Sequence, residues 1–220
     1  MTIPAEKVTQ LDLIYAYTPI LALITGDLST YTVTADSGTG TFTAAGHDYI
    51  DGTPVEFSNA GGALPGGLVA GTTYYVTGAA TDTFQVTEFI GGTALDITSN
   101  GSGTNTVTEV AIEDIISSYE DAALAWDVLV RHEVSDYQGA GRVSFAWPGA
   151  AISSEQAVIA STSASIIPVT DTITFRYVAI IRGGNTTPGD GTGSLAVLQD
   201  VGETTVTLQG YTFTFNPTYL

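Results

Sequence analysis

Two histidines, His47 and His132, are the only imidazoles in the chain. A nucleophile relay built on either would need an orienting carboxylate such as Asp127 or Asp136. The sequence offers neither a G-x-S-x-G elbow nor an H-E-x-x-H pair, so both rings read as polar contacts near loops. Carboxylates fall in neighbouring pairs at Glu113/Asp114, Glu120/Asp121 and Glu133/Asp136, and Glu120 with Asp121 has the residue types of a glycosidase acid and base. The rung-like repeats that often carry such chemistry on long glycans are absent, which leaves exposed carboxylates as the plainer reading. Asp190 in GNTTPGDGTG, and Asp48 with Asp51 in HDYIDG, offer hard oxygen ligands for calcium, but neither loop has a full ligand spacing, and both read as solvated turns. The Tyr74-Tyr75 and Tyr15/Tyr17 pairs have the rings to stack on sugars, although tyrosines alternating along strands more commonly serve a core or interface. No catalytic residue, metal site or cofactor is expected.

Composition narrows the field further. Five basic residues face 23 acidic ones, for a formal charge of -18. Nucleic acid and anionic lipid demand clustered Lys and Arg to displace counterions, so neither is an expected partner. Cysteine is absent, which removes disulfides, thiolate metal sites and cysteine nucleophiles. Only 13% of residues are charged, against roughly 25% in ordinary soluble domains, so hydroxyls and small side chains must cover much of the surface. The start, MTIPAEK, lacks a basic region followed by an apolar run, and the apolar stretch from Leu11 to Thr25 is short and interrupted by Asp12 and Pro19. Buried protein, synthesised in the cytoplasm, is the expectation.

The elements that must position these groups are mainly strands. Between Asp51 and Thr104, short runs alternate with period two: Val55 and Phe57 flank Glu56, and Phe84 and Val86 flank Gln85. Glycines 52, 66, 67, 71, 91, 92, 101 and 103 occupy the breaks, where the backbone must turn sharply. The Ser-Gly-Thr-Gly stretch at 37–40 reads as the entrance to a separate module. After it, AIEDIISSYEDAALAW repeats apolar residues every three or four positions and predicts a helix over 111–124, followed by a strand from Val128 to Val130. Val143, Phe145 and Trp147 alternate, and Ala157–Ile159 and Ile166–Val169 are further strand candidates. The strongest strand is 172–182, whose second half is apolar on both faces. A final hairpin is expected about Gln209-Gly210, with Leu208 across from Tyr211 and Val206 across from Phe213.

The segments GTPVEF, ALPGGLVAGTTYYV, DTFQVTE and GGTALDITSNGSGT together resemble a small β module found in structural proteins of tailed bacteriophages, in fibres, tail parts and surface accessories. A second, looser likeness spans about 132–217: HEVSDYQGAG, TITFRYVAIIRGG and LAVLQDVGETTVTLQGYTFTFNP are similar in order to a family of phage virion proteins, although LAVLQDVGE departs from that family's usual pattern. These resemblances imply a virion context and a β fold, and no chemistry.

The expectation is therefore a mainly β protein: an antiparallel β-sandwich or barrel-like host domain with one short helix (1–37 and 105–220) and an inserted all-β module (38–104) projecting outward. Function follows as a non-enzymatic virion component, a capsid decoration or cement protein or a tail or neck accessory, stabilising the particle through subunit contacts. The alternative is a tail or head fibre gripping a host cell-surface glycan. Other virion proteins are the expected partners, with homo-oligomerisation, a trimer among the candidate orders. Arg131, Arg142, Arg176 and Arg182 are nearly all the cations. Arg176, Val178, Ile180 and Arg182 share one strand face that needs a partner, either another sheet of this chain or another subunit, and they form the candidate subunit interface, since arginine is favoured at interfaces.

Overall fold

The computed structural model describes residues 18–112, 122–134, 141–144, 151–153, 156–158, 162–166, 172–207 and 211–215. The fold is mainly β with antiparallel sheets. Two compact units divide the chain, Asp27–Glu120 and, on either side of it in sequence, Met1–Gly26 with Asp121–Leu220.

The inner unit is a closed barrel. Its strands are β2 (Thr30–Asp36), β3 (Thr41–Thr43), β4 (Pro54–Ala60), β5 (Thr73–Thr77), β6 (Thr83–Thr87) and β7 (Thr104–Glu109), joined in the order β2-β3-β6-β5-β4-β7. Closure follows from the alternation: Val33, Phe42, Val55, Phe57, Tyr74, Val76, Phe84, Val86 and Val107 all point inward and are buried. Phe42 packs on Phe57 and Phe84 at ring separations of 4.9 and 5.6 Å. Each such side chain contributes about 1.5–3 kcal/mol on burial, and closing the sheet removes the exposed strand edges on which other chains pair.

The barrel is larger than the expected 38–104 module. β2 pairs with β7, Thr30 opposite Thr108 and Val33 opposite Asn105, so both strands belong to it. Residues 37–40 form the β2–β3 hairpin inside the barrel: Asp36 accepts the Gly38 amide on its Oδ1 at 2.8 Å and the Gly40 amide on its backbone oxygen at 2.9 Å. Ser, Gly and Thr serve linkers and tight turns equally well, and here the turn wins. Two glycines beyond the far ends of β4 and β7 are fixed by close approach. Gly101 and Gly103 have φ of 73° and 72°, and a Cβ would lie 2.6 Å from the Ala63 oxygen and 2.5 Å from the Ala60 oxygen.

In the other unit, β1 (Ile20–Ile24) is a central strand of a sheet ordered β13-β12-β1-β8. It begins directly after Pro19 and is buried throughout. Its neighbours are β12 (Thr172–Arg182), β13 (Ser194–Thr207) and the two-residue β8 (Val143–Ser144). Leu21 lies opposite Ile180 and Leu23 opposite Val178, with both pairs in one apolar cluster together with Ile173 and Phe175. The double-sided burial of the second half of β12 is observed, since residues 177–181 are all buried.

Two local expectations are corrected. Residues Val128–Val130 are helical: α1 (Ala122–Leu129) runs into a 3-10 turn (Val130–His132), because the apolar stripe Ala122, Ala125, Trp126, Leu129 continues at helical spacing with no breaker. Most of the helix expected over 111–124 falls on residues 113–121, which lie outside the described set. Among the described residues the expected C-terminal hairpin pairing of Val206 with Phe213 is not seen, while its turn at Gln209-Gly210 and Leu208 lie outside the described set. β13 pairs along its length with β12, interrupted near Gly202, and β14 (Tyr211–Phe215) pairs with β11 (Thr162–Ile166), Ala164 opposite Phe213. Alternation in YTFTF specifies a strand without naming its partner. The remaining ribbon joins β9 (Ala151–Ser153) to β10 (Gln156–Val158). Among the described residues, no helix is long and apolar enough to cross a membrane.

Candidate functional site

The barrel registers sort its loops by end. β2 starts, and β7 finishes, at the end where the chain enters and leaves; the β3–β4 loop (44–53) and the β5–β6 turn (78–82) lie there too. The opposite end carries the long connections 61–72 and 88–103, with Val69 and Phe89 62% and 64% exposed. At the first end the two loops enclose a shallow cleft of about 420 Å³, lined by His47, Asp48, Tyr49, Ile50, Asp51, Ala79, Ala80 and Thr81.

Each wall of this cleft is fixed by hydrogen bonds. Asp51 Oδ1 accepts the Ala79 amide at 2.8 Å, tying the two loops together, and Asp82 Oδ1 accepts the Gly46 amide at 2.8 Å. Buried Thr53 donates its hydroxyl to the Ile50 oxygen at 2.8 Å. Asp48 accepts the Tyr31 hydroxyl at 2.9 Å and the Ser29 hydroxyl at 3.3 Å. Burial, reinforced by the bond to Asp48 and its charge, pushes the Tyr31 phenol above its ordinary pKa. Tyr49 donates to the Ser29 oxygen at 3.1 Å.

His47 is 93% buried against three rings, Phe84, Tyr49 and Tyr31, at 5.2, 5.5 and 6.5 Å. Neither ring nitrogen has a hydrogen-bond partner. Such a group costs roughly 1–3 kcal/mol of unrelieved desolvation, and buried Glu109, at the same end, adds an Oε2 with no hydrogen-bond partner.

The other candidates are placed as follows. His47 belongs to the barrel and His132 to the other unit; with no partner on the His47 nitrogens, no carboxylate orients that ring as a base. Asp127 is exposed on α1. Asp136, both carboxylate pairs over 113–121, and Tyr15 with Tyr17 fall outside the described residues. Tyr74 is a core residue of the barrel, 3% exposed, and donates no stacking face. Asp190 is a turn residue: its carboxylate accepts the Thr192 hydroxyl and amide. Those bonds, the Thr192 hydroxyl foremost and then the Asn185 amide, lower its pKa to about 2. Among the described residues, no three His, Asp or Glu side chains converge to hold a metal ion.

The candidate interface on β12 does not survive as a surface. Val178 and Ile180 are fully buried, in one apolar cluster with Leu21 and Leu23 of the neighbouring strand β1 and with Val134 and Val206, so that stretch of the face is covered within its own unit. Arg176 pairs with Asp200 at 2.9 Å, both about two-fifths exposed, and lies 5.1 Å over the Tyr177 ring. Arg182 is exposed at the strand end, opposite Ser194.

Sequence reasoning missed a buried ion pair in the outer unit. Arg142 and Glu133 form a two-pronged pair, both bonds 2.7 Å, with side chains 0% and 1% exposed. Arg142 also donates to the backbone oxygens of Asn185 and Asp190, and Glu133 accepts the Gly189 amide at 2.7 Å. Trp126 covers the guanidinium at 5.0 Å. The pair therefore pins the 183–193 loop. Glu133 was visible only as one of several carboxylates, and nothing local tied it to that loop.

Comparison with family models, with curated proteins and with solved structures found no match.

Proposed function

We propose that this chain is a non-enzymatic structural protein of a tailed-bacteriophage particle, a capsid decoration protein or a tail or neck accessory, which stabilises the particle through contacts with other virion proteins. The observation that carries this reading is the closed barrel spliced into a second β unit through two adjacent strands. β2 and β7 pair side by side, so the barrel completes its own core while interrupting its host at a single point. Such an insertion adds surface at small conformational cost to the host fold. The phage-type resemblance of ALPGGLVAGTTYYV, which spans the 61–72 loop and β5 of that barrel, supplies the virion context. The β12 face is not its docking surface, since that face is used internally.

Quantitative gel and mass-spectrometric analysis of purified particles tests the assignment. Many copies per particle, retained under moderate heat or chelator, is the expected result. A sparse trimer that blocks infection when added free would move it to the receptor-binding fibres, and complete absence from particles would overturn the reading.

A further inference from the structure

We infer that Asn100 is a site of spontaneous covalent modification, where the fold itself assists the side-chain amide in losing ammonia to become aspartate or isoaspartate. This end of the barrel lies opposite the cleft, and nothing in the chemistry depends on a virion role. Of the five asparagines, only Asn100 precedes a glycine. Deamidation begins when the following backbone nitrogen attacks the side-chain carbonyl carbon, and glycine has no Cβ to obstruct that approach. The fold holds the glycine in place: Gly101 has φ of 73°, and a Cβ there would lie 2.6 Å from the Ala63 oxygen.

Nucleophile and electrophile are both presented. Among the described residues the Gly101 amide donates no hydrogen bond, so no acceptor holds its proton. The Asn100 side-chain oxygen, by contrast, accepts the Ser37 backbone amide at 2.7 Å. As the Gly101 nitrogen adds to Cγ, negative charge develops on that oxygen, and a donor already aimed at it stabilises the charge without reorganisation. Asn100 is exposed, so water takes the Gly101 proton and returns one to the departing Nδ2. The bond from Cγ to Nδ2 breaks, ammonia leaves, and a cyclic imide remains. One water then opens either imide carbonyl, giving aspartate or isoaspartate and one new negative charge. The other described asparagines lack this combination. Asn59 Nδ2 is held by the Ala63 and Ser102 oxygens and by Asn105 Oδ1, Asn105 is buried, and Asn185 precedes a β-branched threonine.

The full chain is incubated in mildly alkaline buffer, folded and in urea, and peptide mapping by mass spectrometry follows each asparagine. Asn100 should convert ahead of the other four, and at least as fast in the folded chain as in urea. Ser37→Pro removes the donor and suits the extended residue before it, since Asp36 ends β2. It should slow conversion about tenfold in the folded chain, the loss of one hydrogen bond to a charged oxygen, and leave the rate in urea unchanged. Slower conversion of Asn100 in the folded chain than in urea would overturn the assignment, and that comparison decides alone if Ser37→Pro does not fold. A folded Ser37→Pro variant that converts at the original rate, or one slowed equally in urea, would overturn it too.

Discussion

The barrel and the unit whose sequence flanks it solve the same problem, burying a β core without disulfides, by opposite routes. In the barrel, each of the six strands lies within Thr30–Glu109, and several neighbours are joined by short turns, such as β2 to β3 and β5 to β6. In the outer unit, the central strand β1 pairs Ile20 with Ile181 and Ile24 with Tyr177, across the whole insertion. The barrel closes its edges, while the outer sheet ends on a two-residue strand, β8, on one side. All five basic residues belong to the outer unit, which uses one of them, Arg142, as a buried clamp; the barrel has none. A core built from local pairs is self-sufficient, whereas one built across a long gap depends on segments that meet late.

The sharpest way to break this contrast is to cut the chain. Residues 27–120 expressed alone should fold cooperatively, with a single thermal transition and dispersed aromatic NMR signals. The complementary deletion of residues 1–26 should leave the outer unit unfolded, since it removes a strand with neighbours on both sides. A barrel fragment that melts without a transition would mean that its closure depends on the rest of the chain.

Point substitutions carry the comparison to single side chains. Phe84 is fully buried and touches Phe42, Tyr49 and His47. Phe84→Ala should cost about 3–5 kcal/mol, and calorimetry should show the loss in the barrel transition alone. In the outer unit the matching test is Glu133→Ala, which leaves the Arg142 guanidinium buried without its carboxylate and should cost about 3–5 kcal/mol. Replacing both, Glu133→Leu with Arg142→Met, should recover much of it, because two buried charges and their desolvation go together. If the double variant is no more stable than the single one, the contacts of Arg142 with the 183–193 loop outweigh the ion pair itself.

The same contrast explains what the sequence disclosed. Period-two alternation placed Val55, Phe57, Phe84 and Val86 in the barrel core, and β12 was read to its terminal residues, because those signals are local. The pairing of β14 with β11 and the helical state of Val128–Val130 depend on partners and continuations that alternation does not encode. The β12 face needs a partner, and Val178 and Ile180 find theirs within the chain, in a cluster with Leu21, Leu23, Val134 and Val206 that is drawn from segments far apart in sequence and so invisible to local alternation. His47 was legible as a histidine near a loop. That three rings would enclose it while leaving both nitrogens unmatched is a property of barrel closure.

The smallest effects concern two acids of the outer unit, and they fix a sign. Asp190 drops from an ordinary 3.8 to about 2 through the Thr192 hydroxyl and the Asn185 amide, and Asp200 is lowered by Arg176 and then by the Gly202 amide. A carboxylate whose folded pKa lies below its unfolded value lends stability above the unfolded value and gives it up as pH falls through the folded one. For Asp190 that window runs from 3.8 down to about 2. Asp200 is exposed and Asp190 only half-buried, so solvent screens the coupling and the midpoint of unfolding should barely move. Carboxyl NMR titration still resolves the causes: Thr192→Val should return Asp190 toward 3.8 without touching Asp200, and Arg176→Met should raise Asp200 alone. If Arg176→Met shifts both residues equally, the outer unit's acids respond to its overall charge, and the hydrogen bonds assigned to each would not be the cause.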